Sequence, residues 1–219
     1  MNTKIVHNCL LIAICLILSV KSYAEDVSRR VINVASAGTL SNLLGNKVDS
    51  VVDLTLLGEL NGTDIKTIRS MDVLSVLNLT ETKIVSGGEA YYSYITPWSI
   101  TVNCYTSNNV LGSWFFNGCS KLTSVTLPNN ITAIDTRAFN NCSSLPSIII
   151  PIGVVSIGDF AFASCSKLNS ITLPRSVLTV DPTAFIMSNG ITQILVDAEN
   201  PNFCSIEGIE VRCRRLVDD

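Results

Sequence analysis

Three blocks of sequence between residues 116 and 174 repeat one another at a fixed spacing. They read FNGCSKLTSVTLP (116–128), FNNCSSLPSIIIP (139–151) and FASCSKLNSITLP (162–174), and Phe185 opens a degraded fourth copy. The blocks keep a 23-residue period, which preserves the cysteine, leucine and proline positions throughout. A fixed period of this length predicts a solenoid, because one repeat cannot bury its own apolar face and has to stack on its neighbours.

Each repeat contains the alternation expected of a short β-strand. In the first block, Leu122, Val125 and Leu127 alternate loosely with hydroxyl-bearing residues, and Pro128 then ends the strand because proline cannot donate to a ladder. A second short strand is predicted over 131–134, followed by one helical turn capped by Asp135. Successive turns would stack about 4.8 Å apart, so equivalent residues form rows. The row expected on the outer face is a candidate partner-binding surface and consists of Thr126, Ile149, Thr172 and Leu195.

The cysteine in every repeat permits two interpretations. Three equally spaced thiols are compatible with a metal or redox ladder, although one thiolate per turn lacks the paired spacing of a zinc site. Packing of a small, easily buried residue in a tight turn is the favoured alternative. Outside the repeats, Cys204 and Cys213 are the best candidates for a disulfide, because they lie close together near the end of the chain.

The repeat pattern F-x-x-C-S-x-L-x-x-[IV]-x-[LI]-P, closed by Ala-Phe, resembles the BspA-type leucine-rich repeat, which is common in Bacteroidetes surface proteins and in some host-associated protists. The match covers about 116–196, and the segment from about 27 to 116 resembles the N-terminal part of Bacteroidetes members. The resemblance implies an α/β-type repeat solenoid, predominantly β, built as a right-handed leucine-rich repeat stack of 23-residue turns with an N-terminal α/β cap. It also implies an exported binding or adhesion protein without enzymatic activity.

The N-terminus has the three parts of a secretory signal peptide, predicted over 1–24. Lys4 supplies the positive start, residues 9–20 form an apolar run too short to span a membrane comfortably, and Ser22-Tyr-Ala24 is a small-x-small cleavage site. We therefore expect an exported protein, at the cell surface or secreted, without a membrane span after cleavage. The formal net charge is −3, and loss of Lys4 and Lys21 with the signal peptide would lower it to −5. This acidic balance argues against nucleic acid and anionic membranes as partners.

The remaining chain divides into a cap, an insertion, the repeats and a tail. Residues 25–84 are predicted to be the N-terminal cap and the irregular first leucine-rich turns, including a short helix over 39–45 capped by Thr39. Residues 116–196 hold the repeats, and residues 197–219 hold a degenerate final repeat and a polar C-terminal tail.

Residues 85–115 form an aromatic-rich insertion in which the 23-residue period fails. Four of the five tyrosines and both tryptophans of the chain lie between residues 91 and 114. Tyr and Trp on a loop are typical of a binding hot spot, and the alternative is that the rings seal the lateral side of the first turns. The candidate partner-binding residues in this segment are Tyr91, Tyr92, Tyr94, Trp98 and Tyr105.

Residues needed for common catalytic schemes are missing from the predicted exported chain. The single histidine, His7, lies in the signal peptide, which removes Ser-His-Asp and Cys-His arrangements. No catalytic, cofactor or metal site is predicted. The preferred hypothesis is a non-enzymatic protein that makes protein–protein or adhesive contacts with an extracellular protein or glycan of host or microbial origin. The alternative is a structural spacer, or a truncated remnant of a longer surface array, with no ligand of its own.

Overall fold

Short β-strands make up most of the regular structure in the part of the chain that the computed structural model describes, residues 28–206 and 210–213. Side chains are described up to residue 204, so the predicted signal peptide and the end of the predicted tail lie outside this part. In the described residues, no helix has the length and apolar character needed to cross a membrane. The elements are β1 (Arg29–Val34), α1 (Leu40–Leu44), a 3-10 helix (Gly45–Ser50), β2 (Asp53–Leu60), α2 (Gly62–Arg69), β3 (Val76–Ile84), β4 (Gly87–Ile95), β5 (Thr101–Thr106), β6 (Val110–Leu111), β7 (Ser124–Thr126), β8 (Ala133–Ile134), β9 (Ser147–Ile149), β10 (Ser156–Ile157), β11 (Ser170–Leu173), β12 (Thr179–Val180), β13 (Gln193–Val196), β14 (Phe203–Ile206) and β15 (Glu210–Cys213).

Parallel pairing at a 23-residue offset recurs in two ladders. In the front ladder, β9, β11 and β13 align Ser147 with Ser170 and Ser170 with Gln193. In the second ladder, β6, β8, β10 and β12 pair in order, starting from Val110 opposite Ala133. The repeat register therefore begins at Val110, inside the segment assigned to the insertion. The sequence did not reveal this start, because β6 has only two residues and lacks the leucine and proline positions that mark the later repeats.

An N-terminal sheet precedes the front ladder, with the strand order β1-β2-β3-β7. Its pairs are also parallel, and β2 aligns with β3 at the 23-residue offset, Asp53 opposite Val76. The next pair places Val76 opposite Ser124, a 48-residue offset. The extra residues between β3 and β7 include the antiparallel hairpin β4–β5, whose strands pair with each other and not with the N-terminal sheet. The insertion is therefore an ordered hairpin between two neighbouring strands of one sheet.

A column of phenylalanine rings fills the interior of the repeats. Phe116, Phe139 and Phe162 are fully buried, and their ring centroids lie 5.3 Å and 5.2 Å apart in sequence order. Phe185 continues the column at 5.7 Å from Phe162. Buried aromatic side chains contribute large apolar areas, so this column is a main source of cohesion between successive repeats.

The repeat cysteines act as buried hydrogen-bond donors. The Sγ atom of Cys142 lies 3.2 Å from the carbonyl oxygen of Phe116, and the Sγ atom of Cys165 lies 3.1 Å from that of Phe139. In the degraded fourth copy, the Ser188 hydroxyl donates to the carbonyl of Phe162 at 2.6 Å. The shared role of thiol and hydroxyl explains why a small donor recurs here and supports the packing interpretation. The Cys204–Cys213 disulfide stays a prediction, since the side chain of Cys213 lies outside the described residues.

Titration of these thiols should lower stability at alkaline pH. Burial raises the pKa of the Cys165 thiol to about 11, from an ordinary value of 9.0. In the unfolded chain the Cys165 thiol ionises at the lower pH, near 9.0. The contribution of this buried thiol to the unfolding free energy is therefore complete below pH 9 and is lost as the pH rises towards 11. We expect the unfolding free energy of the wild type, relative to that of Cys165→Ser, to fall by about 1.4 kcal/mol per pH unit over this range. Urea unfolding at successive pH values measures the difference, and parallel pH profiles for the two proteins would contradict the expectation.

Two predicted local features differ in the structure. Helix α1 forms, but the Thr39 side chain does not cap it and donates instead to the carbonyl of Ser36. The predicted helical turn after Asp135 is replaced by turns, with hydrogen bonds such as Ala138 N–H to Asp135 C=O at 3.2 Å. The backbone of Arg137 has a φ of 56°, in the left-handed region, which prevents helix continuation.

Candidate binding surfaces

The predicted outer row lies on the exposed face of the front strands. On β9 and β11, Ile149 and Thr172 are direct partners, and Leu195 on β13 is the next partner of Thr172. Thr126 occupies the equivalent position on β7, the strand that neighbours β9. The intervening residues Val125, Ile148 and Ile171 point inward and are buried, so the side chains of the row point outward. The structure therefore brings these four predicted residues together in one row.

The same row continues into the N-terminal sheet, which sequence analysis did not identify. Asn78 pairs with Thr126, Thr55 pairs with Asn78, and Val31 pairs with Thr55. Val31 is exposed over 67% of its surface. The row was hidden because the inserted hairpin replaces the 23-residue offset by a 48-residue offset between β3 and β7. The Leu77-Asn-Leu79 alternation on β3 was a usable signal, since it places Asn78 between two buried leucines.

The aromatic candidates of the hairpin separate into buried and exposed groups. Tyr91 is buried, with its ring centroid 5.3 Å from that of Phe115, and its hydroxyl donates to the carbonyl of Ser113 at 2.8 Å. Burial also raises the pKa of the Tyr91 hydroxyl well above its ordinary value. Tyr91 therefore attaches the hairpin to the repeats and does not belong to an exposed binding surface.

Tyr92 and Tyr94 pack laterally on the first repeat turn. Both ring centroids lie 5.1 Å from that of Trp114, and the Tyr92 ring is stacked on it. The guanidinium of Arg69 lies 4.8 Å from the Tyr92 ring centroid, and that of Arg137 lies 4.6 Å from the Trp114 ring centroid. These alternating cations and rings are held by cation–π attraction and seal the side of the stack. The sealing role considered for the insertion accordingly fits these two tyrosines.

Trp98 and Tyr105 remain exposed, over 80% and 55% of their surfaces. Trp98 lies in the loop between the two hairpin strands, and Tyr105 lies on β5. Sequence analysis missed two apolar neighbours of Trp98 in this loop, Ile95 and Ile100, which are exposed over 72% and 59% of their surfaces. Their signal in the sequence was the short Thr-Pro-Trp-Ser segment between two isoleucines. We define residues 95–100 as the hairpin tip.

A cavity of about 370 Å³ lies between part of the hairpin and the first repeat turn. Its lining includes Tyr94, Tyr105 and Trp114, together with the carboxyl group of Asp135. Burial raises the pKa of the Asp135 carboxyl above its ordinary value. Across the described residues, no group of three or more His, Cys, Asp or Glu side chains has a geometry that could hold a metal ion. The arrangement offers an aromatic wall with one acidic group.

Comparisons with known proteins match these features to one repeat family. The family model for the BspA type leucine-rich repeat region matches residues 87–205 with six copies, so the matched region begins before the first repeated block, which opens at Phe116. No curated protein matches the chain significantly.

Several solved structures of bacterial leucine-rich repeat proteins are similar to the chain. One is a leucine-rich cell surface protein from Faecalibacterium prausnitzii, with 18% identity, a TM-score of 0.40, and coverage of 78% of this chain and 34% of that one. A leucine-rich repeat protein from T. pallidum has 20% identity, a TM-score of 0.39, and coverage of 75% and 50%. A leucine-rich repeat protein from Eubacterium ventriosum has 18% identity, a TM-score of 0.41, and coverage of 68% and 40%. This chain thus spans between about a third and a half of these proteins. Since the family model covers more than half of its residues, the chain belongs to the BspA type leucine-rich repeat family.

Proposed function

We propose that this protein is exported, to the cell surface or the surrounding medium, and binds an extracellular protein or glycan through its outer row without catalysing a reaction. Residues 1–24 act as the signal peptide, 25–84 as the cap, and 197–219 as the degenerate last repeat and polar tail. The two ladders are sides of successive 23-residue turns in a right-handed solenoid. Membership in a leucine-rich repeat family supports a binding role.

The observation that supports the outer row is its exposed apolar content. Ile149 is exposed over 83% of its surface, and Leu195 over 40%. Both side chains stand among exposed hydroxyl-bearing neighbours, such as Thr126 and Thr172. An apolar centre with a polar surround is the general arrangement of a protein interface. Because β9, β11 and β13 are parallel and in register, Ile149, Thr172 and Leu195 lie on regular strands rather than on loops.

The spacer hypothesis makes the opposite structural expectation, a polar outer row and a buried insertion. The exposure of Ile149 on the row and of Trp98 on the hairpin favours the binding hypothesis over it. Glycan binding would add contacts from exposed aromatic side chains, such as Tyr105, which also lines the cavity beside the hairpin.

A pair of arginine substitutions tests the outer row. The protein is the chain from residue 25, and the probes are immobilised extracellular-matrix proteins and an array of glycans. We expect Ile149→Arg combined with Thr172→Arg to weaken a detected interaction by about tenfold or more, because the substitutions remove an apolar contact and place charge at the interface. Val155→Arg is the matched control, since Val155 is also an exposed apolar residue, adjoins the second ladder and is exposed over 42% of its surface.

Melting temperatures separate loss of binding from loss of folding. Both variants should melt close to the wild type, because the replaced side chains are exposed. Equal binding by the double variant and the wild type would exclude the outer row as the binding surface. Failure of the wild type to bind any probe would favour the spacer hypothesis.

A further inference from the structure

The hairpin tip has the composition and the backbone chemistry of a lipid-interacting element. We propose that residues 95–100 insert into the interfacial layer of a zwitterionic lipid bilayer, with Trp98 and the two flanking isoleucines as the inserted side chains. This inference is independent of the outer row and adds a second type of surface to the proposed function.

The tip is apolar, exposed and uncharged. Ile95, Trp98 and Ile100 are exposed over 72%, 80% and 59% of their surfaces, and all three lie in the short segment that runs from the last residue of β4 to the residue before β5. The stretch from 90 to 120 contains no Asp, Glu, Lys or Arg. Trp prefers the boundary between water and hydrocarbon, where its ring is buried and its indole N–H remains hydrogen-bonded. Charged side chains, which oppose insertion most strongly, are absent from this part of the sequence.

Three backbone N–H groups of the tip donate to acceptors within the tip. The N–H of Thr96 donates to the carbonyl of Ile100 at 2.9 Å, and the N–H of Ser99 donates to the carbonyl of Thr96 at 2.9 Å. The N–H of Ile100 donates to Oγ1 of Thr96 at 3.2 Å. Pro97 has no N–H to satisfy. A loop that enters lipid loses its hydrogen bonds to water, so these internal donor contacts lower the free-energy cost of insertion.

The base of the hairpin is held firmly against α2 and the repeats. A Cβ atom on Gly62 would lie 2.0 Å from the carbonyl oxygen of Glu89, so glycine permits the close approach of α2 and β4. The N–H of Glu89 donates to Oγ1 of Thr63 at 3.0 Å, and Tyr91 packs on Phe115. The tip is thus presented on a fixed support, and little conformational entropy would be lost on binding.

A lipid surface fits these features better than a folded partner does. Three largely exposed apolar side chains in one short segment suit a medium that deforms around them. Two residues along each strand correspond to roughly 7 Å, within the depth of about 5–10 Å at which interfacial elements are buried. The chain is acidic, with a formal net charge of −3, which disfavours anionic lipids and selects a zwitterionic surface.

Vesicle binding can be measured with Trp98 as an internal probe. The chain from residue 25 retains every described residue, since the described structure begins at residue 28. Trp114→Phe leaves Trp98 as the single tryptophan, and we expect its fluorescence to shift to shorter wavelength with phosphatidylcholine vesicles and to be quenched by brominated lipid chains. Ile95→Ser combined with Trp98→Ser and Ile100→Ser, tested by vesicle flotation in the otherwise wild-type chain, should weaken the association about tenfold or more.

Matched variants and lipids define the outcomes. Ile149→Arg should bind vesicles like the wild type, so failure of the outer row and failure of the tip are distinguishable. Adding phosphatidylserine should not strengthen binding. The proposal is overturned if Trp98 emission is unchanged by phosphatidylcholine, if the triple variant floats with vesicles as well as the wild type, or if the tip variant instead loses binding to an immobilised protein.

Discussion

Replacing Asp64 by alanine is expected to lower the unfolding free energy by about 3–5 kcal/mol. Asp64 is fully buried on α2, and its carboxylate accepts three backbone hydrogen bonds. Oδ2 accepts from the N–H of Gly38 at 2.5 Å and from that of Asn61 at 3.0 Å, and Oδ1 accepts from the N–H of Leu40 at 2.9 Å. Alanine would leave these donors without their acceptor, and the cost is largest at the fully buried Leu40, because an unsatisfied buried N–H costs more than its hydrogen bond contributes.

The carboxylate of Asp64 connects two segments of the cap, the N-terminal ends of α1 and α2. It completes the capping box of α2 with Asn61, whose side chain accepts from the N–H of Thr63 at 3.0 Å. It also supplies the N-terminal acceptors for α1, a helix of five residues that could not form alone. Loss of Asp64 should therefore release α1 as well as weaken α2, and hydrogen exchange at the Leu40 amide should become much faster.

Two further substitutions make the expectation for Asp64 specific. Asp64→Asn preserves the shape of the side chain but has one acceptor oxygen, so its unfolding free energy should lie between those of the wild type and Asp64→Ala. Asp72→Ala removes an exposed carboxylate after α2 and should cost less than about 0.5 kcal/mol. Urea unfolding compares the four proteins. A cost for Asp64→Ala within about 1 kcal/mol of that for Asp72→Ala would show that the three hydrogen bonds are not a main support of the cap.

The repeats were predictable because every turn has to make the same contacts with the preceding turn, which fixes the same residue types at each period. Phe139 and Cys142 recur with the repeat period, since each stacks on, or donates to, the preceding turn. The cap offered no such signal. Thr39 has the residue type and position of a helix cap, but the acceptor for Leu40 comes from Asp64, which is distant in sequence. Local capping rules cannot reveal an acceptor that tertiary packing supplies.

The candidate surfaces were predictable only where they follow from local sequence patterns. The outer row followed from strand alternation, and its extension through Asn78 was concealed by the hairpin. Composition identified the aromatic hairpin but could not separate Tyr91, which is buried on Phe115, from Trp98, which lies at the tip. That separation depends on which strand face meets the repeats, and the hairpin register is interrupted between Gly87 and Tyr92.

Replacing Arg69 by methionine is expected to cost about 3–4 kcal/mol, because this side chain substitutes for a missing repeat turn. In later turns, backbone N–H groups of one turn donate to carbonyls of the next. Examples are Phe116 N–H to Ala138 C=O at 2.6 Å and Gly118 N–H to Asn140 C=O at 2.8 Å. The equivalent carbonyls of the first turn, one repeat earlier, belong to Phe115 and Asn117, and α2 precedes them in place of a repeat.

Arg69 supplies the donors at that position. Nη1 donates to the carbonyls of Trp114 and Phe115 at 2.8 Å each, and Nη2 donates to that of Asn117 at 3.2 Å. The same guanidinium lies over the Tyr92 ring, so it joins the cap, the hairpin and the first turn. Methionine can replace the packing of the aliphatic stem but not these hydrogen bonds, and the first edge of the stack would be left with unsatisfied carbonyls.

The planar guanidinium geometry and a matched surface arginine provide the controls. Arg69→Lys keeps the charge, but a single ammonium group cannot reach all three carbonyls. Its loss of unfolding free energy should therefore be smaller than that of Arg69→Met. Arg175→Met removes an exposed arginine that pairs with Glu199 and should leave the unfolding free energy nearly unchanged. Urea unfolding gives the free energies, and near-ultraviolet circular dichroism reports the Tyr92–Trp114 stack, which should weaken in Arg69→Met alone. Equal costs for Arg69→Met and Arg175→Met would mean that α2 and the hairpin close the first edge of the repeats without this side chain.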